Sequence, residues 1–499
     1  MKHENCIVVT VNEAGFEYDI HSLVKAFYPA CDVKVVLPFQ NGENKENIEN
    51  DSSSLGLPGL NIEFTKDAIL LSLIDGENGR ASFGAKKIKI TYDMPRPQVK
   101  NCLKQLIYAE LSQYTGKELP WGTLTGIRPT KIPMSMLEEG QTDTDIMKYM
   151  KDTYFISEKK GELAIQIARR EKALLETLHY EDGYSLYIGI PFCPTTCLYC
   201  SFTSYPIFSW KKRISEYLDA LEKEIVFIAD YYKDKVLDTI YIGGGTPTTL
   251  EAGELSRLLE KVNCSFDLSH IKEFTVEAGR ADSITLDKLK VLKKAGVTRI
   301  SVNPQTMKQQ TLDIIGRKHT VVQVKEAFAL AREAGFTNIN MDLILGLPGE
   351  AKEDVRNTME EVLRLNPDSL TVHSLAIKRA SGLNRWIEEN GISALTNTDE
   401  MMEITANGAA SMGMVPYYLY RQKNMAGNFE NVGYARDGKF GIYNILIMEE
   451  KQTIAALGTG SITKRVFKDG RIERCDNVKD VNLYIDKIDE MIMRKRRLL

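Results

Sequence analysis

Three cysteines of PFCPTTCLYC, Cys193, Cys197 and Cys200, carry the densest chemistry in the chain, at the spacing C-x3-C-x2-C. Chance places such a triplet in only about 0.002 of chains with this cysteine frequency. The other five cysteines are scattered, as thiols are in a reduced compartment. A closed zinc site wants four ligands, usually in two spaced pairs, and neither a second cysteine pair nor a histidine pair is visible. Three thiolates on one short loop suit an iron–sulfur cluster instead, with one iron left open to a ligand that can be reduced.

The cluster loop directly follows an apolar run, SLYIGI, and further candidates sit after later runs of the same kind. Gly243-Gly244-Gly245-Thr246-Pro247 follows the second. Its glycines would let the backbone approach a ligand and offer N–H groups to an amino or carboxylate head group. Glu277 ends the third run and could meet an ammonium, while Gln305, in NPQT, follows the fourth. Asp342 lies inside the fifth, INMDLILGLPG, where a carboxylate needs a partner; a ligand or the guanidinium of Arg317 would serve.

These positions need a scaffold. From Leu186 to Leu375, six apolar runs (Leu186–Ile190, Thr239–Ile242, Glu273–Val276, Arg299–Val302, Ile339–Leu345, Ser369–Leu375) alternate with five helical stretches (Ser215–Tyr231, Ala252–Val262, Thr285–Ala295, Val321–Ala334, Lys352–Leu363). Such alternation demands a parallel sheet with right-handed crossovers. Polar candidates after nearly every strand favour a partial (β/α)6 TIM-like barrel over a doubly wound sheet, with ligands at the strand C-termini. The fold class is therefore α/β, in four parts. Residues 1–95 form a small α/β domain with a mobile loop at 41–59, and 96–182 a mainly helical connection. The barrel spans 183–385, and 386–499 a mixed C-terminal region. LPWGTLTGIRPTKI, in the second part, reads as an ordered loop bearing Arg128 and Lys131.

At 499 residues and 43% hydrophobic content the chain is ordinary globular material, with 64 Lys+Arg against 68 Asp+Glu. That balance gives no footprint for nucleic acid. No run is long enough for a membrane span, and the N-terminus lacks a secretory h-region, so a cytoplasmic location is expected. The basic run Arg494–Arg497 reads as a solvated end. Gly458–Ser461 lacks the third glycine and following acid of a dinucleotide turn.

Cysteines, GGGTP, Glu, Gln, Arg and Asp in this series resemble the radical S-adenosylmethionine (SAM) enzymes. More narrowly, YIGIPFCPTTCLYC, YIGGGTPT, NMDLILGLPGE and ALGTGSIT are similar to the oxygen-independent coproporphyrinogen III oxidase (coproporphyrinogen dehydrogenase) branch, with its heme-chaperone relatives. The first 180 residues resemble the extension of its HemZ-type subgroup. The likeness implies that Cys193, Cys197 and Cys200 hold a [4Fe–4S] cluster whose open iron SAM chelates. It assigns Tyr187, Gly244 and Glu277 to that SAM. It assigns Tyr199, Gly245, Thr246, Gln305, Arg317, Asp342 and Ala376 to a second. No catalytic side chain is implied, since the radical comes from the cofactor.

The implied reaction is oxidative decarboxylation of coproporphyrinogen III propionates to vinyls, fed by a flavodoxin- or ferredoxin-type electron donor. Arg317, Arg379, Arg421 and Lys423 are candidate clamps for the tetra-anionic substrate. Two positions depart from the oxidase pattern: Phe202 stands where it has a further cysteine, and Gly189 where it has histidine. The alternatives are a heme-binding or heme-delivery protein, or a radical methyltransferase or heme-degrading enzyme.

Overall fold

The computed structural model describes residues 6–29, 31–37, 57–74, 85–126, 128–378, 381–422 and 429–499. It contains two compact units: Met1–Ile165 with Arg421–Asn424, and Gln166–Tyr420 with Met425–Leu499.

The first unit is built on five strands: β1 (Cys6–Val11), β2 (Asp32–Val36), β3 (Gly59–Phe64), β4 (Ala68–Ile74) and β5 (Lys86–Lys89). Their spatial order is β2-β1-β3-β4-β5. β1 pairs in parallel with β2 and β3, and β3-β4-β5 is an antiparallel meander. The helix Glu17–Phe27 buries Ile20, Leu23, Val24 and Phe27, an i, i+3, i+4, i+7 stripe, in one core with Leu103, Ile107 and Leu111 of the helix Arg96–Thr115. β4 is an addition to the sequence reading. Its run AILLSLI is continuous, and periodicity alone does not tell such a run from buried helix. Helices Lys131–Glu138 and Asp143–Tyr154 were also unforeseen, the second capped by Thr142. Residues 41–56 of the expected loop lie outside the described residues.

The second unit is built on one long sheet. Its first strand, β6 (Gly183–Ile190), leads to the short pair β7 (Phe192–Cys193) and β8 (Tyr205–Pro206). Then come β9 (Val236–Gly244), β10 (Glu273–Glu277), β11 (Arg299–Ser301), β12 (Ile339–Leu345) and β13 (Ser369–Ser374). The series β6-β9-β10-β11-β12-β13 is parallel throughout. Helices Ile214–Tyr231, Ala252–Ser265, Leu286–Lys294, Val321–Glu333 and Lys352–Leu365 make the crossovers, matching the expected alternation. Their starts are written locally. Thr285 and Thr320 accept from the N–H three residues on, and Gln323 returns the bond to Thr320. Each such cap is worth about 1 kcal/mol.

The C-terminal residues extend the same sheet at both edges. β14 (Val415–Tyr420) and β15 (Asn431–Ala435) add antiparallel beside β13. β16 (Thr453–Leu457) adds in parallel beside β6, making a seventh parallel strand, and β17 (Ile462–Val466) and β18 (Ile472–Asp476) follow antiparallel. The strand order runs open from β14 to β18, so the barrel is partial.

The end helix Ile488–Leu498 corrects the reading of the basic tail. Lys495 is fully buried, paired with the equally buried Glu224, which also accepts from Gly458 N–H (2.8 Å), Asn477 Nδ2 (2.9 Å) and Tyr484 Oη (2.7 Å). An amine withdrawn from water needs such a partner.

Candidate functional site

Strands packed on both faces read as unbroken apolar runs, so a half-exposed residue inside one marks a place where packing stops. Tyr187 in β6, Tyr241 in β9, Asp342 in β12 and His373 in β13 are half-exposed among buried neighbours, as is Glu277 at the end of β10. The register sets them on one face. Tyr187 lies opposite Tyr241, Thr239 opposite Glu273, Glu277 opposite Ser301, Ser301 opposite Asn340, and Ile344 opposite His373. They line one hollow that reaches solvent.

The thiol loop sits where β6 ends. Gly245 N–H donates to Ile190 O (2.8 Å) and Thr246 N–H to Phe192 O (2.7 Å), stitching the turn after β9 to the strand carrying Cys193. Gly244 N–H is bonded to the Glu277 carboxyl. The expectation that this turn offers free N–H groups is thus corrected: these three serve the fold. The glycines make room. A Cβ on Gly245 would stand 2.6 Å from Phe192 O, one on Gly243 2.9 Å from the Glu277 carboxyl carbon, and Gly244 has φ +104°.

Two of the three sulfurs have donors aimed at them. Thr246 Oγ1 lies 3.5 Å from Cys193 Sγ. Arg280 Nη1 lies 3.8 Å from Cys197 Sγ and 2.9 Å from Thr195 Oγ1, its guanidinium held by Asp282. Thr195 Oγ1 donates to Gly316 O (3.0 Å) and Leu198 N–H to Ile315 O (3.0 Å), fixing the loop's shape. Burial pushes the Cys193 thiol up to about 11 and that of Cys200 upward too. Among the described residues no three His, Cys, Asp or Glu side chains converge on a single ion. Soft thiols with donors toward their sulfurs fit a cluster whose irons each take one thiolate.

Burial pushes Glu277 up to about 7; Tyr241 Oη, which donates to it, and Gly244 N–H pull the other way, and the nearby Asp342 charge adds to the rise. Burial raises Asp342 as well, but His373 (3.8 Å), Asn340 (2.7 Å) and Thr371 outweigh it and hold it below the usual carboxylate range. The proposed Asp342–Arg317 pair is therefore not formed. Arg317 donates instead to Tyr199 Oη (2.9 Å), Gly279 O (2.6 Å) and Asn303 O (2.8 Å), tying the thiol loop to the ends of β10 and β11.

Gln305 adopts φ +69°, costly for a side chain with a Cβ, and is held there by Gln305 N–H to Asp342 O and Ile344 N–H to Gln305 O, both 2.9 Å. Its Oε1, with Asn303 Oδ1 and Ser301 Oγ, is buried without a hydrogen-bond partner, at alternate positions of one extended segment. Three unmet polar atoms in a row fit a bound polar group. Ala376 follows β13, half-buried.

Sequence reasoning missed Tyr241, Tyr443, Arg280 and His373. Tyr443 stacks on Tyr241 (4.5 Å) and Tyr187 (6.1 Å) from the helix Ile442–Glu449, whose first N–H groups bond Glu273 (Ile442 N–H, 2.6 Å). Only the hollow's strand register would have flagged Tyr241 and His373. Arg421 belongs to the first unit; Arg379 and Lys423 lie outside the described residues. Phe202 is 75% exposed, and Gly189 O accepts from Tyr217 Oη (2.5 Å).

Residues 187–362, which hold the thiol loop and the strands behind it, match the radical SAM superfamily. Over 407 residues the chain is 43% identical to the oxygen-independent coproporphyrinogen-III oxidase-like protein HemZ of Bacillus subtilis, spanning 81% of each. The chain belongs to the radical SAM superfamily, among its HemZ-like members. As a radical SAM protein it uses a [4Fe–4S] cluster and SAM. It is 40% identical to the heme chaperone HemW of B. subtilis over 195 residues, 39% of this chain and about half (51%) of that one. The solved structure of coproporphyrinogen III oxidase (HemN) from Escherichia coli shares the radical SAM fold. Its TM-score is 0.52 at 24% identity, covering 64% of this chain and 73% of that one. No described helix is long and apolar enough to cross a membrane.

Proposed function

We propose that Cys193, Cys197 and Cys200 hold the [4Fe–4S] cluster with SAM at its open iron, and that the chain acts on a reduced tetrapyrrole. Its reaction is oxidative decarboxylation of coproporphyrinogen III propionates to the vinyls of protoporphyrinogen IX. The observation that carries this is the thiol loop at the rim of a hollow whose wall holds Glu277 and the unmet atoms of Ser301, Asn303 and Gln305. When bound, the cluster and SAM supply reductive cleavage of the sulfonium and hydrogen-atom abstraction.

The chain's own groups then bind, orient and exclude. Ionised Glu277, steadied by Tyr241 Oη and Gly244 N–H, receives a cationic or hydroxyl group of SAM. Tyr187, Tyr241 and Tyr443 form a stacked floor that keeps water from the reacting carbon. Arg317 orients Tyr199 within the thiol loop. With Gly245, Thr246, Gln305, Asp342 and Ala376, these residues form the surroundings of a second SAM.

The test is anaerobic incubation with coproporphyrinogen III, SAM, a flavodoxin- or ferredoxin-type donor and an external acceptor for the one electron each propionate gives up with its carbon dioxide. Carbon dioxide with vinyl products supports the reading; methyl transfer or a linear tetrapyrrole replaces it by another radical reaction. Heme carriage is the second reading, favoured by the likeness to HemW and by Phe202 at the position of the oxidase's extra cysteine. Stoichiometric heme binding without turnover would establish it.

A further inference from the structure

The first unit contains an ordered turn that the reading above does not use. In Trp121–Gly126 the start is pinned: Thr123 N–H donates to Tyr154 O (2.7 Å), Ser157 N–H to Pro120 O (3.1 Å), and a Cβ on Gly122 would collide with Tyr154 O. At its end the segment opens outward, with Thr125 half-buried, Gly126 exposed and nothing within 4 Å of the place where a Cβ on Gly126 would stand.

Two cations bracket the Leu124–Thr125 pair. Lys104, on the helix Arg96–Thr115, is only 7% exposed, and its Nζ donates to Thr125 Oγ1 at 3.1 Å. Arg421 is 4% exposed, donates from Nη1 to Leu124 O (2.5 Å) and lies over the Trp121 ring at 5.8 Å. Among the described residues no carboxylate lies within 4.0 Å of Lys104 Nζ. Burial, with Lys100 and Arg421 adding to it, pulls its amine down to about 8, while the more distant Asp19 only partly offsets this. A buried ammonium whose acceptor is one neutral hydroxyl costs the fold stability, and that cost is recovered when an anion arrives.

We propose that Lys104, Thr125 and Arg421 form an oxyanion site in the first unit, taking a carboxylate or phosphate group through the opening at Gly126. The site does not depend on the cluster, on SAM or on the reaction proposed above.

The experiment titrates the full chain with inorganic phosphate and, separately, with propionate, at constant ionic strength, by calorimetry and thermal unfolding. Saturable binding of either anion is expected. It should weaken at least tenfold in Lys104→Met and Arg421→Gln, and the anion's thermal stabilisation should be lost with it. Which anion saturates names the source, phosphate ester or carboxylate. Without anion, Lys104→Met should unfold at a higher temperature than the parent, since it removes an uncompensated buried charge; a merely structural lysine would give the reverse. Thr125→Val, which leaves both buried cations in place, should also weaken binding and decides the matter where either other variant does not fold. No saturation with either anion, or saturation unchanged in Thr125→Val and the folded variants, overturns the site.

Discussion

Glu277 gives the sharpest handle on the cofactor reading. Its carboxyl titrates near 7 because burial outweighs the Tyr241 and Gly244 hydrogen bonds. A ligand that needs the ionised form finds about one molecule in ten ready at pH 6 and about nine in ten at pH 8, so apparent affinity for SAM should rise roughly tenfold across that interval. Glu277→Gln keeps the shape and the contact with Tyr241 but abolishes the charge. The variant should bind more weakly at pH 8 and lose this part of the pH dependence. Anaerobic calorimetry of parent and variant at pH 6, 7 and 8 reads the effect, and their ratio cancels any titration of the ligand itself. The same group leaves a stability signature. An unfolded glutamate titrates near 4.3. Between that value and about 7 the native state holds a proton the unfolded chain has lost, so stability is greatest at low pH and falls by about 3 kcal/mol as pH rises through 7. Glu277→Gln should flatten that fall in urea titrations. A parent-to-variant affinity ratio constant from pH 6 to 8 would refute the assignment.

The remaining expectations are quickly stated. Cys197→Ala should reduce cluster iron and visible absorbance of anaerobically reconstituted protein to background while leaving far-UV dichroism intact. Lys495→Met leaves Glu224 buried without its cation and should cost about 3–5 kcal/mol in denaturant titration. Glu224→Leu combined with Lys495→Met should cost clearly less than the sum of the single changes. Gln305→Gly relieves the φ +69° backbone and should stabilise by about 1 kcal/mol, yet weaken SAM binding, because the buried, unmet Oε1 is gone.

The parallel core was legible because its signals are local. Each of the strands β6, β9, β10, β11, β12 and β13 is a short apolar run closed by glycine, proline or a cap, and each crossover helix has its own periodic stripe. The thiol loop was legible because three cysteines in eight residues are rare. Partnerships were not. Asp342 meets His373 and not Arg317 because β12 and β13 pair in a particular register, and nothing within either strand declares it. Tyr443 reaches the hollow from a helix that Glu273 anchors, a contact across 169 residues of chain. Lys495 sits in a basic run that resembles any solvated tail, and its partner Glu224 lies on a helix whose other acids are mostly exposed.

The polar groups of one sheet face differ along the strands. Near the starts of the strands several of its polar groups are met within the chain. Ser185 Oγ donates to Gln452 (2.6 Å) and accepts from Thr239 (2.8 Å). Glu273 accepts from Ile442 N–H, and Asn340 Oδ1 accepts from Ser369 (3.0 Å) and Thr371 (3.2 Å). Toward the other end, on the segment that continues β11, Ser301, Asn303 and Gln305 keep buried oxygens with no partner. An unmet buried oxygen costs about 1–3 kcal/mol, and three in line, one on a strained backbone, would be expensive as packing faults. At the strand C-termini beside the thiol loop they fit the proposed polar ligand, and SAM, with its amino-acid, ribose and adenine groups, offers partners for all three.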